Sequence, residues 1–186
     1  LERDFPQSVV MLARRGLKRD DPDWFPAFVM NYILGGGGFN SRLTEEIREK
    51  RGLAYGVSTA LQPYVAGGLF VGTVATANAR VGQSIDLMRQ ELQRLAEGGV
   101  TPQELANAKT YITGSFALNF SSSAAIAGLL LTVQLDNLGR DYFERRSALV
   151  EKVTAEDVQR VAKRLLDPND FIFVVVGKPQ GVKSSE

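Results

Sequence analysis

The segment GGGGFNSRLTEEIREKRGLAY, residues 35–55, decides the fold and, with it, the function. Four glycines open it, a charged helix-like stretch follows, and a tyrosine closes it. Such a pattern could be a phosphate-cradling loop, a turn between two helices, or one wall of an active site. A Walker-type loop requires GxxxxGK[ST] between a strand and a helix, so that backbone amides cradle phosphate while the lysine reaches it. Here the apolar helical stretch FPAFVMNYIL, 25–34, precedes the glycines and no GK[ST] follows them. A dinucleotide fingerprint fails on the same ground, because its glycines must follow a strand. The glycines therefore read as an elbow between two helices, supplying positive φ and close approach.

Outward from the elbow, the preceding helix is expected to start at Asp21-Pro22, with Asp21 as N-cap and Pro22 at the first helical position, and to stop at the glycines. The following helix is expected to begin at Asn40 or Ser41 and end at Gly52, with Glu45 and Glu46 early and Lys50 and Arg51 late, as the helix dipole favours. AYGVSTAL, 54–61, alternates in size. Tyr55, Val57, Thr59 and Leu61 would share one face, and the small residues would take close packing on the other. LFVGTVAT, 69–76, is its natural antiparallel partner, and QSVVMLAR, 7–14, is a third strand. FIFVVV, 171–176, reads as a buried strand.

Helices fill the remainder. Val81, Ile85, Met88, Leu92 and Leu95 recur at alternating steps of four and three, and Gly98-Gly99 closes that helix. Thr101-Pro-Gln-Glu104 is a capping box, and Thr154-Ala-Glu-Asp157 is a looser one. AAIAGLLLTV, 124–133, is about half the length of a membrane span and reads as a buried helix, with a more polar helix near 141–152. Four strands and six or seven helices without a linker or repeat make an α+β architecture, one sheet covered by helices over residues 1–186. A chain of this length buries roughly 70% of its unfolded surface, enough for a sizeable core.

Composition narrows the chemistry. With 22 Lys plus Arg against 21 Asp plus Glu, no basic stripe for nucleic acid is present. There is no cysteine and no histidine, so this chain alone can build neither a catalytic triad nor an ordinary zinc site. Carboxylates alone remain as ligands or bases, and Asp136, Asp141, Asp167 and Asp170 lack the spacing of a calcium loop and read as caps and turns. Arg145-Arg146 with Lys152, and Arg160 with Lys163-Arg164, alternate with acids and read as solvated helix faces. The opening LERDFPQSVV has no signal-peptide pattern and reads as the interior of something longer.

Arg48 in the last turn of a helix and Tyr55 at the start of a strand flank the Gly52 turn. Two donors of fixed geometry could converge there on one peptide backbone. Equally, Arg48 could be a solvated helix charge and Tyr55 a half-buried strand aromatic, and spacing alone does not choose.

At these residues the chain resembles a known family. GGGGFNSRLTEEIREKRGLAYGVST, AEGGVTPQELANAKTYITGSF, LGRDYFERRSALVEKVTAEDVQRVAKRLLDP and the closing FIFVVVG are together similar to the second, non-zinc-binding domain of bacterial pitrilysin or insulinase zinc metallopeptidases. The resemblance implies a LuxS/processing-peptidase-like metallohydrolase fold, a mostly antiparallel sheet covered by helices. It implies that zinc sits on a partner domain or subunit carrying His-x-x-Glu-His, and that this chain holds no cofactor and is inactive alone. By the same resemblance Arg48 binds peptide substrate and Tyr55 stabilises the oxyanion. A homodimer is a further assembly open to it, the bacterial periplasm or cytoplasm is its expected compartment, and neither nucleic acid nor membrane is expected as a partner. The rival reading is a structural or assembly subunit, like the respiratory-complex core proteins that share the fold.

Overall fold

A computed structural model describes residues 1–183. Its frame is a four-stranded antiparallel sheet of order β2-β3-β1-β4, with β1 at Gln7–Arg15, β2 at Ala54–Tyr64, β3 at Gly67–Ala77 and β4 at Ile172–Val176. The four expected strands are all present, and the mixed helix and antiparallel sheet confirm the α+β expectation. β2 and β3 form the hairpin read from the sequence, and β1 pairs with β3 on one side and with β4 on the other.

Strict alternation in β1 and β3 puts one face of each strand inward. Val10, Leu12, Phe70 and Val74 are fully or almost fully buried, each burial worth about 1.5–3 kcal/mol. Six helices follow in chain order: α1 Trp24–Asn31, α2 Val81–Gly98, α3 Pro102–Gly114, α4 Ser123–Leu135, α5 Tyr142–Glu151 and α6 Ala155–Leu165. The core lies between the inner sheet face and α1, α2 and α6, where Ala27, Met30, Met88, Leu92, Val161 and Leu165 are buried. The outer sheet face stays open, with Val9, Met11, Ile172 and Val174 exposed.

Both capping boxes form, and the one expected to be looser, Thr154 with Asp157, is complete. Gly99 closes α2 at φ 67°, a conformation that favours glycine.

Several expectations are corrected. α1 begins at Trp24, after Asp23, and not at Asp21-Pro22. The Asp21 carboxylate instead accepts the Asp23 amide at 2.9 Å and binds Arg164 at 2.9 Å, so it organises the turn before the helix. The helical run does stop at the glycines, as expected, but its last turn, Tyr32–Gly36, is π-helical. FIFVVV is an edge strand, with Ile172 70% exposed, and not a buried one.

α4 is not buried either: none of its residues is fully covered, and Leu130, Leu131 and Leu135 are exposed. SAAIAGLLLTVQL is apolar on all sides, so any single packing face leaves leucines outside. No single helix of the described residues is long and apolar enough to cross a membrane.

The basic helix positions are also more than a solvated face. Arg160 and Arg164 on α6 pair with Asp23, and Arg164 also with Asp21, fastening α6 to the start of α1. Arg146 is buried, stacked 4.1 Å over Phe116. The acids read as caps and turns behave as such: Asp167 accepts the Asn169 amide at 2.9 Å, Asp141 precedes α5, and Asp136 closes α4.

Candidate functional site

The glycine elbow works mainly by proximity. A Cβ on Gly35 would stand 2.6 Å from Thr59 Oγ1 and 2.9 Å from the Thr59 amide nitrogen, so only glycine lets the π-turn lie directly on β2. Gly38 is the one elbow glycine at positive φ, 58°. Ser41 then takes an extended backbone and starts the next helix, as expected, its hydroxyl donating to the Gly38 carbonyl at 2.8 Å. Most of that helix, Thr44–Glu49, is again π-helical. π-turns are rare and tend to accompany functional sites.

The second π-turn is stiffly held. The Glu46 carboxylate is buried between Lys50, at 2.7 Å, and Arg51, and these hydrogen bonds hold it below the usual carboxylate range. Gly52, at φ 57°, sends its amide to the Arg48 carbonyl at 2.9 Å, and Leu53 sends its amide to Ile47 at the same distance. Across on β3 and beyond, Thr76 donates its hydroxyl to the Leu53 carbonyl at 2.6 Å and Arg80 donates to the Gly52 carbonyl at 2.9 Å. The turn is thus closed by its own amides and fastened to β3 at the Leu53 carbonyl and to Arg80 at the Gly52 carbonyl.

Tyr55 is positioned by a break in the strand. Ala54 pairs with Thr76 and Gly56 with Ala75, leaving Tyr55 as the extra residue of a β-bulge. The bulge shifts the alternation: Ala54 and then Val57 face the core, while Tyr55 turns outward and is 85% exposed. This overturns the expected face shared by Tyr55, Val57, Thr59 and Leu61, and it leaves the small residues Gly56 and Ser58 on the open side instead of under a close-packed partner.

The two expected site residues do come together. The Arg48 guanidinium lies 4.7 Å from the centre of the Tyr55 ring and 4.5 Å from that of Phe39, an aromatic left exposed at the end of the elbow. A cation between two rings is worth about 0.5–1 kcal/mol per face at an exposed site and restricts a long side chain. Glu49 forms an ion pair with Arg48, its carboxylate 3.3 Å from Nε. Sequence reasoning missed Phe39, Thr76 and Arg80. Phe39 had a signal, a large apolar residue straight after four glycines, but the other two reveal themselves only through strand register.

Arg42 was also missed as a structural residue. It forks onto the Glu104 carboxylate at 2.6 and 2.8 Å and reaches the Gly99 carbonyl at 2.9 Å. Burial acts to raise the Glu104 carboxyl, but hydrogen bonds from Arg42 and from the Thr101 amide outweigh it and hold it at about 2. The elbow helix is thus tied to the cap of α3.

Nothing in this arrangement fits zinc. The chain contains no imidazole or thiolate, and no group of three Asp or Glu among the described residues could hold a metal ion. What the pair can do is donate: an exposed phenol from a strand start and, beside it, a half-buried guanidinium from a helix end.

Known proteins share this sequence and fold. Residues 1–112 match the family described as the peptidase M16 inactive domain. An uncharacterized zinc protease of Streptomyces coelicolor is 31% identical over 173 residues, covering 93% of this chain and 38% of that protein. One from Mycobacterium tuberculosis is 31% identical over 185 residues, covering 100% of this chain and 42% of its own length. Among solved structures, the peptidase M16 inactive domain from Pseudomonas fluorescens superposes with a TM-score of 0.88 at 33% identity, over 100% of this chain and 44% of that one. A chain of complex III2 from Candida albicans shares the fold, with a TM-score of 0.80 at 16% identity, over 96% of this chain and 45% of that one. The chain spans about two fifths of the length of these relatives. With the family match running over more than half of its residues and a solved inactive domain following its whole backbone, the chain belongs to the peptidase M16 family as one of its inactive domains.

Proposed function

We propose that residues 1–186 act as one unit, the substrate-clamping half of a zinc metalloendopeptidase whose metal sits on a separate zinc-bearing domain or subunit of the same family. The observation that carries this reading is the stacking of Arg48 on Tyr55, 4.7 Å apart, with Arg48 carried by a π-turn and Tyr55 turned outward by a β-bulge. In this role Tyr55 donates its phenolic hydrogen to the scissile carbonyl as it becomes an oxyanion. Arg48 donates to the carbonyl of a neighbouring residue of the peptide. Catalysis of this kind depends on donors held in place before the reaction, and losing one costs about 10²- to 10³-fold in rate.

The exposure of Tyr55 supports a partner. At 85% exposed, its hydroxyl hydrogen-bonds to water as readily as to substrate, and the donor gains strength only when another surface closes over it. β2 is an edge strand, so an extended peptide crossing Tyr55 also finds unpaired backbone groups.

The test uses this chain assembled with its zinc-bearing half. Tyr55→Phe is expected to lower kcat by about 10²-fold with little change in KM, and Arg48→Ala to lower kcat/KM through both terms. Unchanged kcat/KM in both variants would remove the assigned roles. A second reading, a structural subunit without peptidase activity, draws on the shared fold with the complex III2 chain. It predicts a stable assembly that cleaves no peptide even with zinc bound.

A further inference from the structure

A cavity of about 240 Å³ lies between the start of α1, the turn Ser115–Phe120, α4 and α5. None of its lining residues belongs to the 35–55 segment. Its walls pair two guanidinium groups with a mainly aromatic and aliphatic lining, to which Asn119 and Thr132 add polar side chains. Arg146 is 8% exposed, yet it stacks on Phe116 at 4.1 Å and donates to a single carbonyl, that of Ile112, at 3.2 Å. Tyr142 and Arg19 are its other polar neighbours, and no carboxylate pairs with it among the described residues. Arg19 stacks on Trp24 at 4.7 Å and donates to the Tyr142 hydroxyl at 2.8 Å, and its nearest acid, Asp136, is 3.9 Å away.

A guanidinium carries five N–H donors, and one buried without a counter-ion is costly to keep. Stacking on rings recovers part of that cost but satisfies none of the donors. A bound anion would take up the donors that the Ile112 carbonyl leaves over, and the planar fork matches a carboxylate. The remaining lining sets the rest of the ligand: Phe116, Phe143, Leu129 and Val133 offer apolar contact. The volume lies below the roughly 300–1,000 Å³ of drug-sized sites, so the occupant is small. A monoanion with an apolar body would use both kinds of wall, which a phosphate dianion, polar all round, would not.

We propose that this cavity is a binding site for a small carboxylate bearing an aromatic or branched apolar group, its carboxylate held between Arg146 and Arg19 and its apolar body among the phenylalanines. Two sources share that chemistry, a free organic acid and the C-terminal residue of a peptide. The site stands apart from the Arg48–Tyr55 pair and does not depend on the role given to that pair.

Trp24, the one tryptophan of the chain, lines the cavity and reports on it by fluorescence. The full chain is titrated with 3-phenylpropanoate, its amide 3-phenylpropanamide, N-acetylglycyl-phenylalanine and inorganic phosphate. The carboxylate is expected to bind saturably and at least about tenfold more tightly than the amide, since the charged fork accounts for the difference. Tighter binding by 3-phenylpropanoate than by the dipeptide marks a free acid as the ligand, and the reverse marks a peptide end. Arg146→Lys keeps the charge but loses the fork, and should weaken the carboxylate about fivefold or more while leaving the amide unchanged. Because that comparison is made between ligands on one variant, a loss of stability cannot imitate it. Equal affinity for acid and amide, no saturable binding, or phosphate binding as tightly as the acid overturns the proposal.

Discussion

Replacing Gly35 with alanine tests the idea that the elbow works by contact. The new methyl would meet Thr59 Oγ1 at 2.6 Å, the Thr59 amide nitrogen at 2.9 Å and Leu43 Cδ1 at 3.1 Å. The hydroxyl could rotate away, but the amide belongs to a paired strand and cannot yield without moving β2. Overpacking of this kind costs about 1–3 kcal/mol, and in a chain of this size each kcal/mol lowers Tm by about 2–4 °C. The expected fall is therefore roughly 2–12 °C, read by far-ultraviolet circular dichroism. Gly38→Ala is the matched control: it meets open space, and its cost, about 1 kcal/mol, comes from φ 58° alone. Thr59→Ala supplies the decisive comparison. Thr59 Oγ1 is buried with no hydrogen-bond partner, so removing it breaks no bond and relieves the closest clash. The pair Gly35→Ala with Thr59→Ala should then show a favourable coupling of at least about 0.5 kcal/mol, and Gly38→Ala with Thr59→Ala none. Additive effects at positions 35 and 59, or a larger loss at 38 than at 35, would refute the reasoning.

Acid should loosen the elbow from α3. The Glu104 carboxyl sits at about 2 against an ordinary 4.5, so its stabilisation is complete above 4.5 and is lost as pH falls toward 2. The full difference would be about 3 kcal/mol, reduced to about 1–2 kcal/mol because the side chain is 30% exposed and screened. Glu104→Gln should show that loss at pH 7 and a flatter Tm profile between pH 5 and 3. Arg164→Met breaks both carboxylate contacts at the start of α1 and should cost about 1 kcal/mol, a loss that shrinks in high salt. Leu12→Ala empties the space above Gly72 and should cost about 2–5 kcal/mol by denaturant melts.

Period and punctuation made most of the fold legible. The strand hairpin, both capping boxes and the α2 face follow from patterns a few residues long, and the structure keeps all of them. What stayed hidden depends on distant partners. Asp21 looks like a cap until Arg164, 143 residues away, is placed beside it. Arg146 looks like a solvated charge until Phe116 and Phe28 enclose it. α4 shows the complementary difficulty, since an even coat of alanine and leucine signals a helix without saying which side is covered. At the site, the family resemblance brought Arg48 and Tyr55 forward where spacing alone did not choose, and strict alternation put Tyr55 on the wrong face. One bulged residue, invisible in a run of small side chains, reverses it.

The placement of β1 has a consequence for how the chain is made. Its pairing with β3 can form once residue 77 has been synthesised, but β4, its other neighbour, ends at residue 176. At ribosomal rates of about 5–20 residues per second, that side of β1 waits roughly 5–20 s with unsatisfied amides and carbonyls. During that interval Val9 and Met11 flank an open edge, the feature from which stray strand pairing starts. The nascent chain is therefore most vulnerable to aggregation in the window between its third and fourth strands, and most in need of a chaperone there.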